Sequence, residues 1–165
     1  MPNFDLRLRF PAIAPLQRGS AAISGAIIGL SFQLTASATA TYGKIGLGAL
    51  EARMLLVLDD YDAVKAAELS GLLKSDPSAI SRTAKTLRDR DLVTYSGPRR
   101  LLCLTEAGKA MAHQVRIIAD EREERLFAGI TPEETQVLAE LLDRLLANSP
   151  NLAELAHRLQ RFLAV

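Results

Sequence analysis

The sequence predicts a mainly α-helical protein with one small β-hairpin, and three observations favour this class. The chain has 165 residues, of which 48% are apolar but only 5% aromatic, with no Trp. A core of Leu, Ala, Ile and Val suits helices packed on helices. Apolar residues recur at helical spacing along most of the chain. One segment, "LVTYSGPRRLLCLT" (92–105), is instead typical of two short strands joined by a turn. We predict a single domain over 1–165.

The composition excludes several classes of site. The single cysteine, Cys103, cannot form an intrachain disulfide, and its apolar surroundings predict a buried small hydrophobe rather than a redox switch. His113 and His157 lie 44 positions apart with no zinc-ligand spacing around them. The sequence contains no Ser/His/Asp order, no paired carboxylates in a cleft-like loop and no glycine-rich phosphate loop. We therefore expect no metal, no cofactor and no enzymatic activity.

The positive charge is unevenly distributed. The net charge of the chain is only +1, but the stretch Asp76–Arg100 holds six Lys/Arg against three Asp. A nearly neutral protein can still bind a polyanion when its positive charge is gathered on one face.

Residues 19–43 contain no charged side chain and allow three interpretations. "ASATA" resembles a small-residue cleavage site after an apolar run, which would make the segment a signal peptide cleaved near Ala40. A membrane span is the second interpretation. The many Ser, Thr, Gln and Gly residues favour the third, a helix buried against protein. Ala21, Gly25 and Gly29 share one face, where small side chains permit close packing, and a second copy of the chain is the expected partner.

Two helices are predicted in the middle of the chain before the basic stretch. In the first, the inward stripe comprises Leu50, Met54, Leu55 and Leu58. In the second, "AVKAAELSGLL", it comprises Val64, Ala67, Leu69 and Leu72.

The basic stretch predicts a third helix with a defined start. Asp76 is a good N-cap, and Pro77 occupies the first helical position, where its missing N–H costs nothing. The inward stripe consists of Ile80, Ala84 and Leu87. The side chains left to face solvent or a partner are Ser78, Ser81, Arg82, Lys85 and Arg88. Arg90 has acidic neighbours, Asp89 and Asp91, and is expected to be structural.

These helices and the hairpin that follows predict a winged helix-turn-helix over 47–108. A helix fits the major groove of DNA, and arginine offers a forked donor to guanine. Arg99 and Arg100 are expected at the start of the returning strand, near the hairpin tip, where they could contact the minor groove or phosphates.

The C-terminal part predicts three more helices. Thr105 is the N-cap of the first, with Met111, Val115 and Ile118 on its inner face. The second begins with a capping box at Thr131 and Glu134, and its expected buried stripe is Leu138, Leu141, Leu142 and Leu145. The last covers "NLAELAHRLQRFLAV" (151–165).

Three segments together resemble the MarR family of bacterial transcriptional regulators: "LEARMLLVL", "AAELSGLLKSDPSAISRTAKTLRDRDLV" and "LTEAGKAM". The resemblance implies a homodimer whose base is formed by 19–43 and 109–165. It places Ser78, Ser81, Arg82 and Lys85 on the DNA-facing side of the recognition helix, and Arg100, with Arg99, at the wing tip. The wing is shorter than is usual in the family, and Pro98 stands where the family has an Asp.

The resemblance also implies a small aromatic or phenolic effector between the dimer base and the winged region. Tyr42, Tyr61 and His113 are its candidate ligands.

The function predicted from these observations is that of a cytoplasmic, dimeric, sequence-specific DNA-binding regulator, a repressor, with no membrane partner. Its operator would be pseudo-palindromic, with half-sites about one helical turn apart. The alternative is a winged-helix module that binds protein and not DNA. That alternative requires exposed apolar anchors on the recognition face, where the sequence has Ser, Arg and Lys.

Overall fold

The computed structural model describes residues 20–150, and this part of the chain contains six helices and three short strands. In chain order they are α1 (Ser20–Gly43), α2 (Ala49–Tyr61), β1 (Ala63–Val64), α3 (Ala66–Leu73), α4 (Pro77–Asp89), β2 (Val93–Ser96), β3 (Leu101–Leu104), α5 (Glu106–Leu126) and α6 (Pro132–Asn148). The predicted class, mainly helical with a small hairpin, is confirmed. The helix predicted over 151–165 lies outside the described residues.

The chain divides into two compact units that meet between Ala119 and Asp120. The first unit contains every element from α1 to β3 and the larger part of α5. The second contains the end of α5 and the whole of α6.

The core of the first unit is formed by one apolar cluster around α2. Met54, Leu55 and Leu58 of α2 are fully buried, as their helical spacing predicts, and Leu50 is half-buried. Around them pack the buried side chains Leu69, Leu73, Ile80, Ala84, Leu87, Val93, Leu102, Ala112 and Val115. On α5, Met111 and Ile118 pack against this cluster beside Val115, as predicted. The recognition-helix candidate α4 is therefore fixed by its apolar face.

The three strands form an antiparallel sheet in the order β1-β3-β2. β2 and β3 pair from Val93 with Leu104 to Ser96 with Leu101, which confirms the predicted hairpin. β1 was not predicted: Val64 pairs with Leu102 instead of starting a helix.

This strand changes the predicted stripe of the next helix. Because α3 begins only at Ala66, its inward positions are Leu69 and Leu73, one turn apart. Ala67 and Leu72 are exposed, so the prediction that they face inward is wrong.

Helix α1 is mostly exposed in the single chain, so its predicted burial against a second copy of the chain stays a prediction. Only Ala38 and Tyr42, near its C-terminal end, are buried in the core cluster. Phe32 is 74% exposed and Ile28 is 60% exposed. By length and composition, Ala22–Gly43 could also cross a membrane, a test that signal sequences and covered helices pass as well.

Three threonine hydroxyl groups of α1 are satisfied within the helix itself. Thr35, Thr39 and Thr41 each donate to the carbonyl oxygen four residues earlier, at 2.6–2.9 Å. A threonine bonded in this way needs no other partner for its hydroxyl proton. A surface rich in Ser and Thr can therefore still be packed by apolar groups.

In the second unit, α6 begins as predicted but is not buried. Thr131 accepts from the backbone N–H of Glu134, and the Glu134 carboxylate accepts from the backbone N–H of Thr131. Its predicted buried stripe is exposed in the single chain: Leu138, Leu141, Leu142 and Leu145 are each at least 37% exposed. The spacing of these leucines is that of a packed helix face, and no part of the single chain within residues 20–150 covers them.

Candidate nucleic-acid interface

The turn between α3 and α4 is short and tightly bonded. Lys74 adopts a left-handed conformation with φ of 48°, and the Ser75 N–H donates back to the Ser70 carbonyl at 3.1 Å. This is the bonding that ends a helix cleanly and reverses the chain. Arg53 of α2 donates to the Leu73 carbonyl at 2.7 Å. The C-terminus of α3 is thereby attached to the central helix, and the start of α4 is positioned with it.

Helix α4 begins at the predicted cap. The Asp76 carboxylate accepts from the backbone N–H groups of Ser78 at 2.8 Å and Ala79 at 3.2 Å. It also accepts from the Ser78 hydroxyl, and this hydroxyl bond is the largest cause that lowers the pKa of Asp76. The Ser78 oxygen accepts in turn from Arg82 at 3.3 Å. Asp76, Ser78 and Arg82 therefore form one hydrogen-bonded chain at the N-terminus of the helix.

The two faces of α4 are sharply different. Ile80, Ala84 and Leu87 are buried, as predicted. The opposite face carries five exposed polar side chains: Ser78, Ser81, Arg82, Lys85 and Arg88. These residues follow helical spacing, so they share one side of the helix. The result is an exposed stripe with three positive charges.

The motif "LTEAG" holds the base of the wing. The Thr105 hydroxyl donates to the Asp91 carbonyl at 2.6 Å and accepts from the Gly108 N–H at 2.9 Å, which confirms Thr105 as the cap of α5. The Thr105 N–H donates to the Leu92 carbonyl at 3.1 Å. One residue therefore joins the chain that leaves α4 to the start of α5. The sequence identified this motif by its resemblance alone, and these bonds give its physical role.

The wing tip is a four-residue turn, Gly97–Arg100. The Arg100 N–H donates to the Gly97 carbonyl at 3.1 Å, which closes a β-turn with Pro98 at its second position, where a fixed φ is favourable. Gly97 and Arg100 both have positive φ, 64° and 49°. Arg99 and Arg100, predicted at the start of the returning strand, lie in this turn because β3 begins at Leu101.

Tyr95 connects the wing to α4, and it was not among the predicted site residues. The Cζ of Arg88 lies 5.3 Å from the centroid of the Tyr95 ring, and the Cζ of Arg100 lies 4.7 Å from it. Both distances are within the range of cation–π attraction. The sequence signal that could have identified Tyr95 is an aromatic residue in the strand that precedes a basic turn. Arg100 thus has an aromatic support in a wing that lacks the acidic residue of the family pattern.

The other basic residues of the stretch include one with a clear structural role. Arg90 donates to the Gly46 carbonyl at 2.9 Å and forms an ion pair with Glu51 at 3.6 Å. These partners lie far from Arg90 in the sequence, unlike the neighbouring Asp89 and Asp91. Arg99 is exposed, and within 20–150 it makes no hydrogen bond or ion pair.

The remaining candidates do not form a common site. Cys103 is half-exposed rather than buried, and its thiol donates to the Thr94 carbonyl at 3.7 Å. Of the three candidate effector ligands, Tyr42 is buried in the core while Tyr61 and His113 are exposed. Among the described residues, no group of three or more His, Cys, Asp or Glu side chains could hold a metal ion.

Solved structures of other proteins share this fold. A MarR/EmrR family transcriptional regulator from Acinetobacter sp. ADP1 matches with a TM-score of 0.72 and 26% identity, over 78% of this chain and 95% of that one. A MarR family regulator from Silicibacter pomeroyi matches with a TM-score of 0.65 and 26% identity, over 78% and 88%. This chain has the winged-helix fold of these MarR-family regulators. No model of a known protein family matches the sequence itself.

A further MarR-like neighbour was solved with nucleic acid. The S. aureus MepR-DNA complex matches with a TM-score of 0.67 over 76% of this chain and 94% of that one, at 18% identity. At this identity the match shows the shared fold. In a winged-helix fold, α4 is the second helix of the helix-turn-helix and the β2–β3 hairpin is the wing.

Proposed function

We propose that this protein is a sequence-specific DNA-binding transcriptional regulator, a repressor that binds as a homodimer. The single observation that carries the proposal is the exposed stripe of α4. Its serine and basic side chains face away from the core, while the opposite face of the same helix is completely buried. A rigid helix that presents Arg and Lys in this way suits the major groove.

The roles of the site residues follow from their chemistry. Arg82 is the proposed base or phosphate reader, since its guanidinium carries a planar fork of donors. Lys85 and Arg88 supply further positive charge along the stripe, and Ser81 can hydrogen-bond to a phosphate oxygen. Ser78 orients Arg82 through their 3.3 Å hydrogen bond. Arg99 and Arg100 are the proposed contacts of the wing.

The exposed apolar faces support self-association. Ile28 and Phe32 of α1, and Leu141 and Leu145 of α6, are each at least 48% exposed, which is costly for a soluble protein. A twofold dimer would cover such faces with their own copies. We propose that residues 19–43 and 109–165 form this dimer base and that 47–108 bind DNA. The two recognition helices would then meet half-sites about 34–36 Å apart.

Regulation by a small aromatic or phenolic effector completes the proposal, with the protein in the cytoplasm. The two recognition helices would have one spacing in the operator-bound dimer and another in the free dimer. An effector that binds the free conformation more tightly would shift the population away from the operator-bound state. The alternative, a winged-helix module for protein binding, is disfavoured because the outward side chains of α4 lack an apolar anchor.

Titration of wild-type protein into labelled DNA that flanks its own gene tests the proposal. We expect Arg82→Ala to weaken binding by roughly ten-fold or more. Lys44→Ala also removes one positive charge, from an exposed position outside both the proposed dimer base and the proposed DNA-binding region, and should bind as wild type. Log affinity should fall with log salt by about 0.9 per phosphate contacted. Binding that is insensitive to salt, or equal loss in both variants, would contradict the assignment.

A further inference from the structure

We propose that Tyr95 is a positioning residue for DNA binding, whose ring holds Arg88 and Arg100 together as one pair of phosphate ligands. The inference rests on the proposed function and deepens it in two ways. It joins the end of the recognition helix and the wing into one binding unit. It also assigns this wing to the DNA backbone rather than to the interior of the minor groove.

The geometry that carries the proposal is a shared ring. The two guanidinium carbons lie 5.3 and 4.7 Å from the same centroid, so they cannot be farther apart than these distances together, 10.0 Å. Arg88 comes from the last turn of α4, and Arg100 from the turn between β2 and β3. The ring is therefore the group that brings together two charges carried by different elements.

Tyr95 is itself well fixed. It lies on β2 directly opposite Leu102, which is fully buried, and its side chain packs partly against the core cluster. A half-buried aromatic ring has only two side-chain torsions to order. The ring therefore provides a rigid support on which two long, flexible side chains can rest.

The stacked arginines remain able to bind phosphate. A guanidinium attracted to an aromatic ring leaves donors at its edge for oxygen ligands. The two guanidinium groups lie at most 10.0 Å apart and repel one another, and a phosphate bound by them offsets that repulsion. Neighbouring phosphates of one strand advance by about 3.4 Å along the DNA axis, so we propose that the pair binds phosphates that are close together on one strand.

The same contacts disfavour deep insertion of the wing. A minor-groove probe must extend beyond the tip of the turn, but Arg100 lies at the end of the turn, next to β3, and its guanidinium is held against β2. Arg99 is exposed without a hydrogen bond or ion pair in the described part of the chain, so it is the matched comparison for Arg100.

A double-mutant cycle tests the proposal. Binding would be measured by fluorescence anisotropy on a duplex recovered from random DNA by selection with the wild-type protein. We expect Tyr95→Leu to weaken binding by roughly five-fold, while Tyr95→Phe, which keeps the ring, stays within about two-fold of wild type. Arg100→Ala should cost much less in the Tyr95→Leu background than in wild type. The cost of Arg99→Ala should be the same in both backgrounds.

The salt dependence gives an independent readout that general loss of stability would not change. The plot of log affinity against log salt should be less steep in Tyr95→Leu, by about 0.9 for each phosphate that the variant no longer binds. Arg100→Lys keeps the charge but not the planar group, and it should also bind more weakly. This variant replaces Tyr95→Leu in the test if Tyr95→Leu is unfolded at the assay temperature.

The outcomes separate the two proposals. If wild-type protein binds the duplex and Tyr95→Leu binds equally well, or if Arg100→Ala costs the same with and without the ring, the Tyr95 inference is overturned and the proposed function stands. If wild-type protein binds no duplex, the proposed function fails and this inference fails with it.

Discussion

The backbone of Gly108 lies against the carbonyl group of Leu92, so closely that a Cβ at position 108 would stand 1.9 Å from the oxygen. The contact packs the first turn of α5 onto the chain that enters the wing. Any side chain at this position must push the backbone of one element away from the other. We therefore expect Gly108→Ala to lower the free energy of unfolding by about 3 kcal/mol, as measured by urea denaturation.

Gly71 provides the matched control for this substitution. It lies in α3, and a Cβ added there would meet no atom within 4 Å. Gly71→Ala should stabilise the protein by about 0.5–1 kcal/mol, because alanine restricts the unfolded chain and favours a helix. Equal effects of the two substitutions on the free energy of unfolding would show that the close contact between Gly108 and Leu92 does not exclude a side chain at position 108.

The Asp76 cap of α4 should make the stability of the protein depend on pH. The Ser78 hydroxyl, followed by the amides of Ser78 and Ala79, lowers the pKa of Asp76 below 3.8 in the folded chain. A carboxyl group with a depressed folded pKa stabilises the protein above its unfolded pKa, and this contribution is lost as the pH falls through the folded pKa. Asp76→Asn keeps a capping side chain but cannot titrate. The urea midpoint of wild type relative to that of Asp76→Asn should be constant from about pH 5 to 7. Below about pH 4 the midpoint of wild type should decrease relative to that of Asp76→Asn, because the stabilising charge is lost. A constant difference down to about pH 2 would count against the cap.

Substitutions of Arg90 and Arg82 should affect different properties, the first folding stability and the second DNA binding. Arg90→Ala removes the hydrogen bond to the Gly46 carbonyl and the ion pair with Glu51, which join the end of α4 to the start of α2. We expect a decrease of roughly 1–2 kcal/mol in folding free energy, with an unchanged salt slope of DNA binding. Arg82→Ala should show the reverse pattern. Thermal unfolding and salt titration of both variants test this, and a reduced salt slope in Arg90→Ala would place Arg90 on the DNA.

The exposed apolar face of α1 predicts that this helix takes part in self-association. Phe32 is 74% exposed in the single chain, and burying such a side chain contributes about 1.5–3 kcal/mol to association. Phe32→Glu should therefore shift sedimentation from dimer towards monomer. Arg82→Ala, a change on α4 outside the proposed dimer base, should leave the dimer intact. A dimer that persists in Phe32→Glu would place the interface elsewhere.

Local features of this fold were predictable because they depend on residues close in sequence. Asp76 with Pro77, and Thr131 with Glu134, confirm the predicted helix starts, since a cap needs only the next three residues. The stripe of Ile80, Ala84 and Leu87 is confirmed because nothing interrupts its period.

Other features depend on contacts that sequence spacing does not reveal. Val64 lies in a strand because Leu102, far along the chain, pairs with it, and this moves the start of α3. Leu138 and Leu141 have the spacing of a buried stripe, yet no described part of the single chain covers them. The support of Arg100 by Tyr95 was not predicted because the hairpin must form before the two side chains can meet.

Selection of bound sequences from random DNA tests the central claim most directly, because it reports binding, symmetry and half-site spacing together. We predict enrichment of a pseudo-palindrome with half-sites about one helical turn apart, and loss of that enrichment when the selection is repeated with Arg82→Ala. Failure to enrich any sequence with folded wild-type protein, or enrichment that is the same with Arg82→Ala, would contradict the account.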